Sequence, residues 1–181
     1  MTRMQQLSRR FRVFFLLVLG AIPLLSALIW LNLDLVLSGR LGPFPGSLGI
    51  DPGLVRGPVT GEMKLLGFLV FMLPGSLQMA AMWHLARLFG EFARGELFSA
   101  TTVGLLARTG WVLLAAQVAG VVSGSLTTLV LTMHNPAGQH MISASLSGSE
   151  IMGGCLGLAL VFASRVLDEA RLLREADALT I

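Results

Sequence analysis

The sequence predicts an all-α membrane protein with four transmembrane helices, and three observations carry that prediction. Four long apolar runs occupy most of the 181 residues. Over half of the chain is apolar (54%) and only 13% is charged, which a water-soluble domain of this size would not carry. The basic residues gather at alternate ends of the runs. A hydrocarbon core ~30 Å thick needs about 20 apolar residues of helix, and the spans read as 13–33, 65–86, 110–133 and 150–165. The fourth apolar run is the shortest, but Arg165 lies at its end, where its long side chain can snorkel. The length allows one domain, 1–181.

Orientation follows from charge. Arg3, Arg9, Arg10 and Arg12 precede the first span, Arg87, Arg94 and Arg108 flank the second connection, and Arg165, Arg171 and Arg174 follow the fourth span. The opposite side holds only Arg40, Arg56 and Lys64. The positive-inside rule therefore predicts that both termini and the second connection are cytoplasmic. Trp30, Trp83 and Trp111 fall near span ends, the depth that indole rings favour. The first run is too long for a signal-peptide core and no small-x-small cleavage site follows it. The net charge of +3 reflects span-flanking arginines and contains no basic block for nucleic acid, so no direct nucleic-acid partner is expected.

Each element has local signals. The outer loop, 34–64, is rich in Gly and Pro and reads as irregular. Beyond the second span, Leu85, Leu88, Phe89 and Phe92 keep helical spacing, which predicts an amphipathic arm running into the connection 87–109 and ended by Gly95. Ser99 is placed to cap the third helix, with Phe98 and Val103 as a hydrophobic staple. In the outer connection, residues 140–147 alternate apolar and polar, which predicts a short β element with the first loop as its candidate partner. Ser147 and Glu150 form a capping box for the fourth helix. Its tail, 166–181, carries an apolar stripe of Val166, Leu167, Ala170 and Leu173, with Arg165/Glu169 and Arg171/Glu175 as pairs four residues apart.

Few residues offer chemistry. Gln78 and Gln117 lie deep in the spans at similar depth, and an intramembrane polar pair between them would act as helix–helix glue or line a polar cavity. Ala116, Gly120 and Gly124, with Gly153 and Gly157, predict a close packing seam between the third and fourth helices. Ser123, Ser125, Thr127 and Thr128 can satisfy themselves on their own helix carbonyls. His84 is interfacial, while His134 and His140 flank an outer turn without a compact metal-ligand spacing. Cys155 reads as buried and inert, and no internal disulfide is available to a single cysteine. No nucleophile–base pair, phosphate-cradling loop or carboxylate pair appears, so neither an enzyme nor a cofactor or metal site is expected.

The segment 85–114 resembles the central signature of a bacterial membrane family catalogued as domain of unknown function 2975. Gly95-Glu96-Leu97-Phe98-Ser99 and the Gly110-Trp111 pair carry the likeness. So do Asn135-Pro136-Ala137-Gly138-Gln139, the alternating serines and the tail Ser164-Arg165-Val166-Leu167-Asp168-Glu169-Ala170. The chain departs from that pattern at residues 100–102 and at His140. The resemblance implies a four-helix inner-membrane protein without established activity, often encoded beside a small helix-turn-helix regulator. Glu96 carries over as the family's turn residue.

Two functions are thus expected from different classes. The first is a non-enzymatic regulatory or scaffold protein that docks a cytoplasmic helix-turn-helix regulator, or another membrane protein, through Arg87, Phe92, Arg94, Glu96, Phe98, Asp168 and Arg171. The second is a small transporter or channel subunit built on the Gln78/Gln117 layer, which four helices could house only as an oligomer.

Overall fold

The computed structural model describes residues 3–38, 50, 52–96, 99–136, 138–144 and 146–178. The outer-loop basic residue Arg40, the staple residue Phe98 and the side chains of Arg3, Arg174 and Glu175 lie outside the described residues. Five α-helices are described: α1 (Arg3–Leu31), the short α2 (Leu33–Leu37), α3 (Gly61–Arg94), α4 (Ala100–Thr132) and α5 (Gly148–Ala178). A 3₁₀ turn spans Pro52–Leu54. Four of the helices, α1, α3, α4 and α5, are long and apolar enough to cross a membrane. The first residue of α1, Arg3, and the last of α5, Ala178, lie at one end of these four helices, here the terminal end, and the long connections lie at the other, the loop end.

The four long helices pack in chain order as an open bundle. α1 packs on α3, α3 on α4 and α4 on α5, while α1 and α5 share no packing face. Three contacts set the antiparallel register. The Trp30 ring lies against Gly67, so close that a β-carbon there would overlap it. Ser123 Oγ donates to Val70 O at 2.9 Å, joining α4 to α3. A β-carbon on Gly110 would stand 2.7 Å from Gly157 O and 2.9 Å from Val161 N, so α4 and α5 meet backbone to backbone.

The helix ends follow local chemistry. Thr60 caps α3 by accepting from Met63 N–H. Gly95, at φ 91°, ends α3 in the left-handed conformation that glycine adopts without strain. Gly95 N–H donates to Phe92 O and Glu96 N–H to Glu91 O, each at 3.1 Å, which completes a Schellman motif. Ser99 Oγ then accepts from Thr102 N–H at 3.2 Å, while Thr102 Oγ1 donates to Glu96 O at 2.8 Å, so the turn between α3 and α4 is tied at both ends. At α5, Ser147 N–H donates to the Glu150 carboxylate at 2.7 Å, as the capping box requires.

A compact core forms at the loop end from Trp30, Leu33, Val36, Ile50, Met63, Val130 and Leu131. Trp30 is therefore a core residue, 1% exposed, with its indole N–H unpartnered, and not the interfacial ring its position suggested. Trp83 and Trp111 are exposed. The two loop-end connections are joined, but not by a β ladder. Among the described residues there is no strand, and 140–144 run extended and exposed beside the end of α4. The alternation of that segment misled because nothing lies alongside to pair with it. A side chain joins the connections: Asn135, only 8% exposed, accepts from Arg56 N–H (2.8 Å) and Gly57 N–H (3.1 Å) and donates to Leu54 O (2.7 Å).

Candidate functional site

Gln78 and Gln117 do not form the expected layer. Gln117 Nε2 donates to Leu113 O of its own helix at 3.2 Å, and its amide sits over Gly153 of α5. Gln78 points outward on α3 and makes no hydrogen bond among the described residues. The two share a depth but not a face, so neither glue nor a cavity joins them.

The α4–α5 seam differs in detail from its sequence pattern. Residues seven apart share a helix face, and Gly110, Gln117 and Gly124 mark the face of α4 turned to α5. Gly110 and Gln117 meet Gly157 and Gly153, and a β-carbon on Gly120 would stand 3.8 Å from Glu150 Cγ, at ordinary contact. Gly124 meets nothing within 4 Å, because α5 begins below it. Ala116, 2% exposed, lies seven residues before Ser123 and thus on the face turned to α3. Gly110, which stands out in the sequence only through the Gly110-Trp111 likeness, is the residue at which the two helices meet most closely. Its signal was its distance from Gly157 and Gly153 around the turn, which needs the register to be seen.

At the terminal end the expected docking residues are spread over α3, the segment that follows it and α5. Phe92 is half-buried, edge-on to Phe89 at 5.6 Å between ring centroids, and Phe89 stacks on Phe11 and Phe15 of α1. The apolar stripe of the α3 arm is therefore already covered, by an N-terminal extension of α1 that begins at Arg3. Phe92 is withdrawn from the exposed surface. Arg94 pairs with Glu91 at 2.9 Å, not with Glu96, whose side chain is exposed and makes no hydrogen bond among the described residues. Arg87 is exposed. Asp168 accepts from Arg171 at 3.1 Å, the pair lying three residues apart along α5. Arg165 and Glu169 form no ion pair among the described residues.

Carrying the register from α4 to α5 places Glu169 level with Ala100, the first residue of α4. About nine further residues of α5, ~13 Å of helix, project beyond that level. Leu172 and Leu173 on this overhang are 53% and 65% exposed.

The remaining candidates resolve into structure. His140 Nδ1 lies 2.9 Å from Thr132 O, and the His134 backbone packs tightly on Gly57. No group of three or more His, Cys, Asp or Glu side chains could hold a metal among the described residues. Cys155 is exposed on the outer face of α5 instead of buried, since that helix packs on one side only. Ser125 and Thr128 donate to their own helix carbonyls, but Ser123 reaches across to α3. Lys64 pairs with Asp34 at 2.5 Å and borders a largely apolar crevice of about 340 Å³ between α1 and α3.

A family described as "Protein of unknown function (DUF2975)" matches residues 21–181. The chain belongs to the DUF2975 family. The residues that carried the resemblance now have structural roles: Gly95 ends α3, Ser99 starts α4, Gly110 admits α5, and Asn135 ties the loop-end connections of this DUF2975 protein. No curated protein and no solved structure matches the chain.

Proposed function

We propose that this DUF2975 protein is a non-enzymatic scaffold or regulatory protein of the bacterial inner membrane that docks a partner on its cytoplasmic, terminal end. The observation that supports this reading is the overhang of α5, which carries Leu172 and Leu173 exposed beyond the first turn of α4. Apolar side chains displayed on a helix outside the bundle need a groove, a headgroup layer or another helix to cover them. The same end of the bundle carries arginines on the three other long helices. Arg9, Arg10, Arg12, Arg87 and Arg108 form no ion pair among the described residues. The surface thus suits an acidic partner helix with an apolar face, and the family resemblance suggests a helix-turn-helix regulator as that partner. Arg87, Arg94, Glu96, Asp168 and Arg171 line the proposed surface.

The test is charge reversal at Arg87 and Arg171 in the native host, reading out partner co-purification while protein level and membrane insertion are monitored. The reading expects loss of the partner from a protein that still inserts. Full retention of every interaction would remove the platform.

A further inference from the structure

We propose that the loop-end half of the α4–α5 junction is a water-filled recess that descends to Glu150, well inside the apolar thickness of the membrane.

The register sets the depth. Glu150 lies against Gly120, three residues along α4 from Ser123. Ser123 bonds to Val70 of α3, and Gly75 of α3 lies against Ile22 of α1. Stepping across the bundle puts Glu150 level with Leu24, in the middle of an apolar helix that continues to Leu31. Seven residues of helix correspond to ~10 Å. α5 starts at this depth, whereas α4 runs on to Thr132. Above Glu150, therefore, the face of α4 that α5 covers lower down has no helix against it, and Gly124 on that face opens onto empty space.

What occupies this level is an extended segment, not a helix. Met141 N–H donates to Thr132 Oγ1 at 3.3 Å, and the Ser143 and Thr128 hydroxyls lie 3.5 Å apart, so the segment runs down along α4 toward Ser147. The backbone groups of Ile142, Ser143 and Ala144 make no hydrogen bond to any described residue. Lipid tails cannot satisfy such groups, so non-helical backbone at membrane depth persists only where protein or water covers it. Met141, Ile142 and Leu146 are exposed apolar side chains of the same segment, but the groups at the junction itself favour water: hydroxyls of Thr128, Ser143, Ser147 and Ser149, the Glu150 carboxylate, and the open face at Gly124. The capping box marks Glu150 as the start of α5, but the depth of that start is set by packing against α4 and is not encoded locally.

The experiment is cysteine accessibility in membrane vesicles of the full chain, in a Cys155→Ser background. Ser143→Cys, Ser147→Cys and Gly124→Cys are treated from the loop side with a membrane-impermeant maleimide. Gln139→Cys serves as the exposed reference and Leu24→Cys as the lipid-facing one at the same depth. The recess predicts that Ser143→Cys and Gly124→Cys react within about tenfold of Gln139→Cys, with Leu24→Cys unlabelled, since reaction requires a hydrated thiolate. Gly124→Cys keeps the test independent of the α5 cap, and open space at Gly124 accommodates its side chain. Protection of both to the level of Leu24→Cys, whether by lipid or by a second chain, would overturn the proposal.

Discussion

Asn135 carries more of the loop-end architecture than any other polar side chain described. It satisfies three backbone groups of the 54–57 segment from a site that is nearly fully buried. Asn135→Ala should lower stability by about 2–4 kcal/mol, because two N–H groups and a carbonyl lose partners where water is excluded. Thermal unfolding in lipid nanodiscs would measure it, and a loss below ~1 kcal/mol would mean the connections hold together without this tie. Asp34 makes a second, pH-dependent statement. Its carboxyl is held below the ordinary carboxylate range, first by the hydrogen bond from Lys64. A lowered folded-state pKa contributes stability above the ordinary value and loses it as pH falls through the lowered one. Asp34→Asn should therefore be less stable than the parent at neutral pH, with the gap closing below about pH 4. A gap that persisted in acid would assign the effect to something other than this pair. Residue types were legible in the sequence, but partners were not. Asn135 and Trp30 stood out as a motif residue and a span-end indole, and only the register shows the first as a buried tie and the second as core.

At the scale of elements, helix ends were the most legible feature because capping is local. Gly95, Ser99 and the Ser147–Glu150 box each act within a few residues of chain. Packing seams were half legible. The small residues of α4 and α5 marked the right pair of helices, yet Gly110, not Gly124, makes the tight contact. Where α5 begins relative to α4 is a tertiary fact that no spacing in the chain encodes. Gly110→Ala should cost about 1–3 kcal/mol, since its new methyl meets backbone that cannot yield, whereas Gly124→Ala should be near neutral. Equal effects in a denaturation series would place the seam elsewhere. The 140–147 segment shows the opposite failure. Its alternation is real, but a strand needs a partner, and none of the described residues supplies one.

For the whole molecule, the apolar runs made the class plain, because hydropathy over a full span outweighs local detail. The sequence did not reveal that the helices form an open row, nor that the arms of α1 and α3 stack on one another through Phe11, Phe15, Phe89 and Phe92. The proposed docking function stands on the α5 overhang, whose Leu172 and Leu173 are exposed beyond the level at which α4 begins. Phe89→Ala should free the α1 arm, raising protease cleavage near the N-terminus while leaving the α4–α5 seam intact. Unchanged cleavage would show that the aromatic cluster does not hold the arm. The most direct test of the docking claim is site-specific photocrosslinking in living cells from Leu172 and Leu173, with Leu24 as the lipid-facing control. The account predicts one discrete protein adduct from the overhang positions, absent at Leu24 and lost on Arg171→Glu. Adducts identical at all three positions, or none at the overhang, would contradict it.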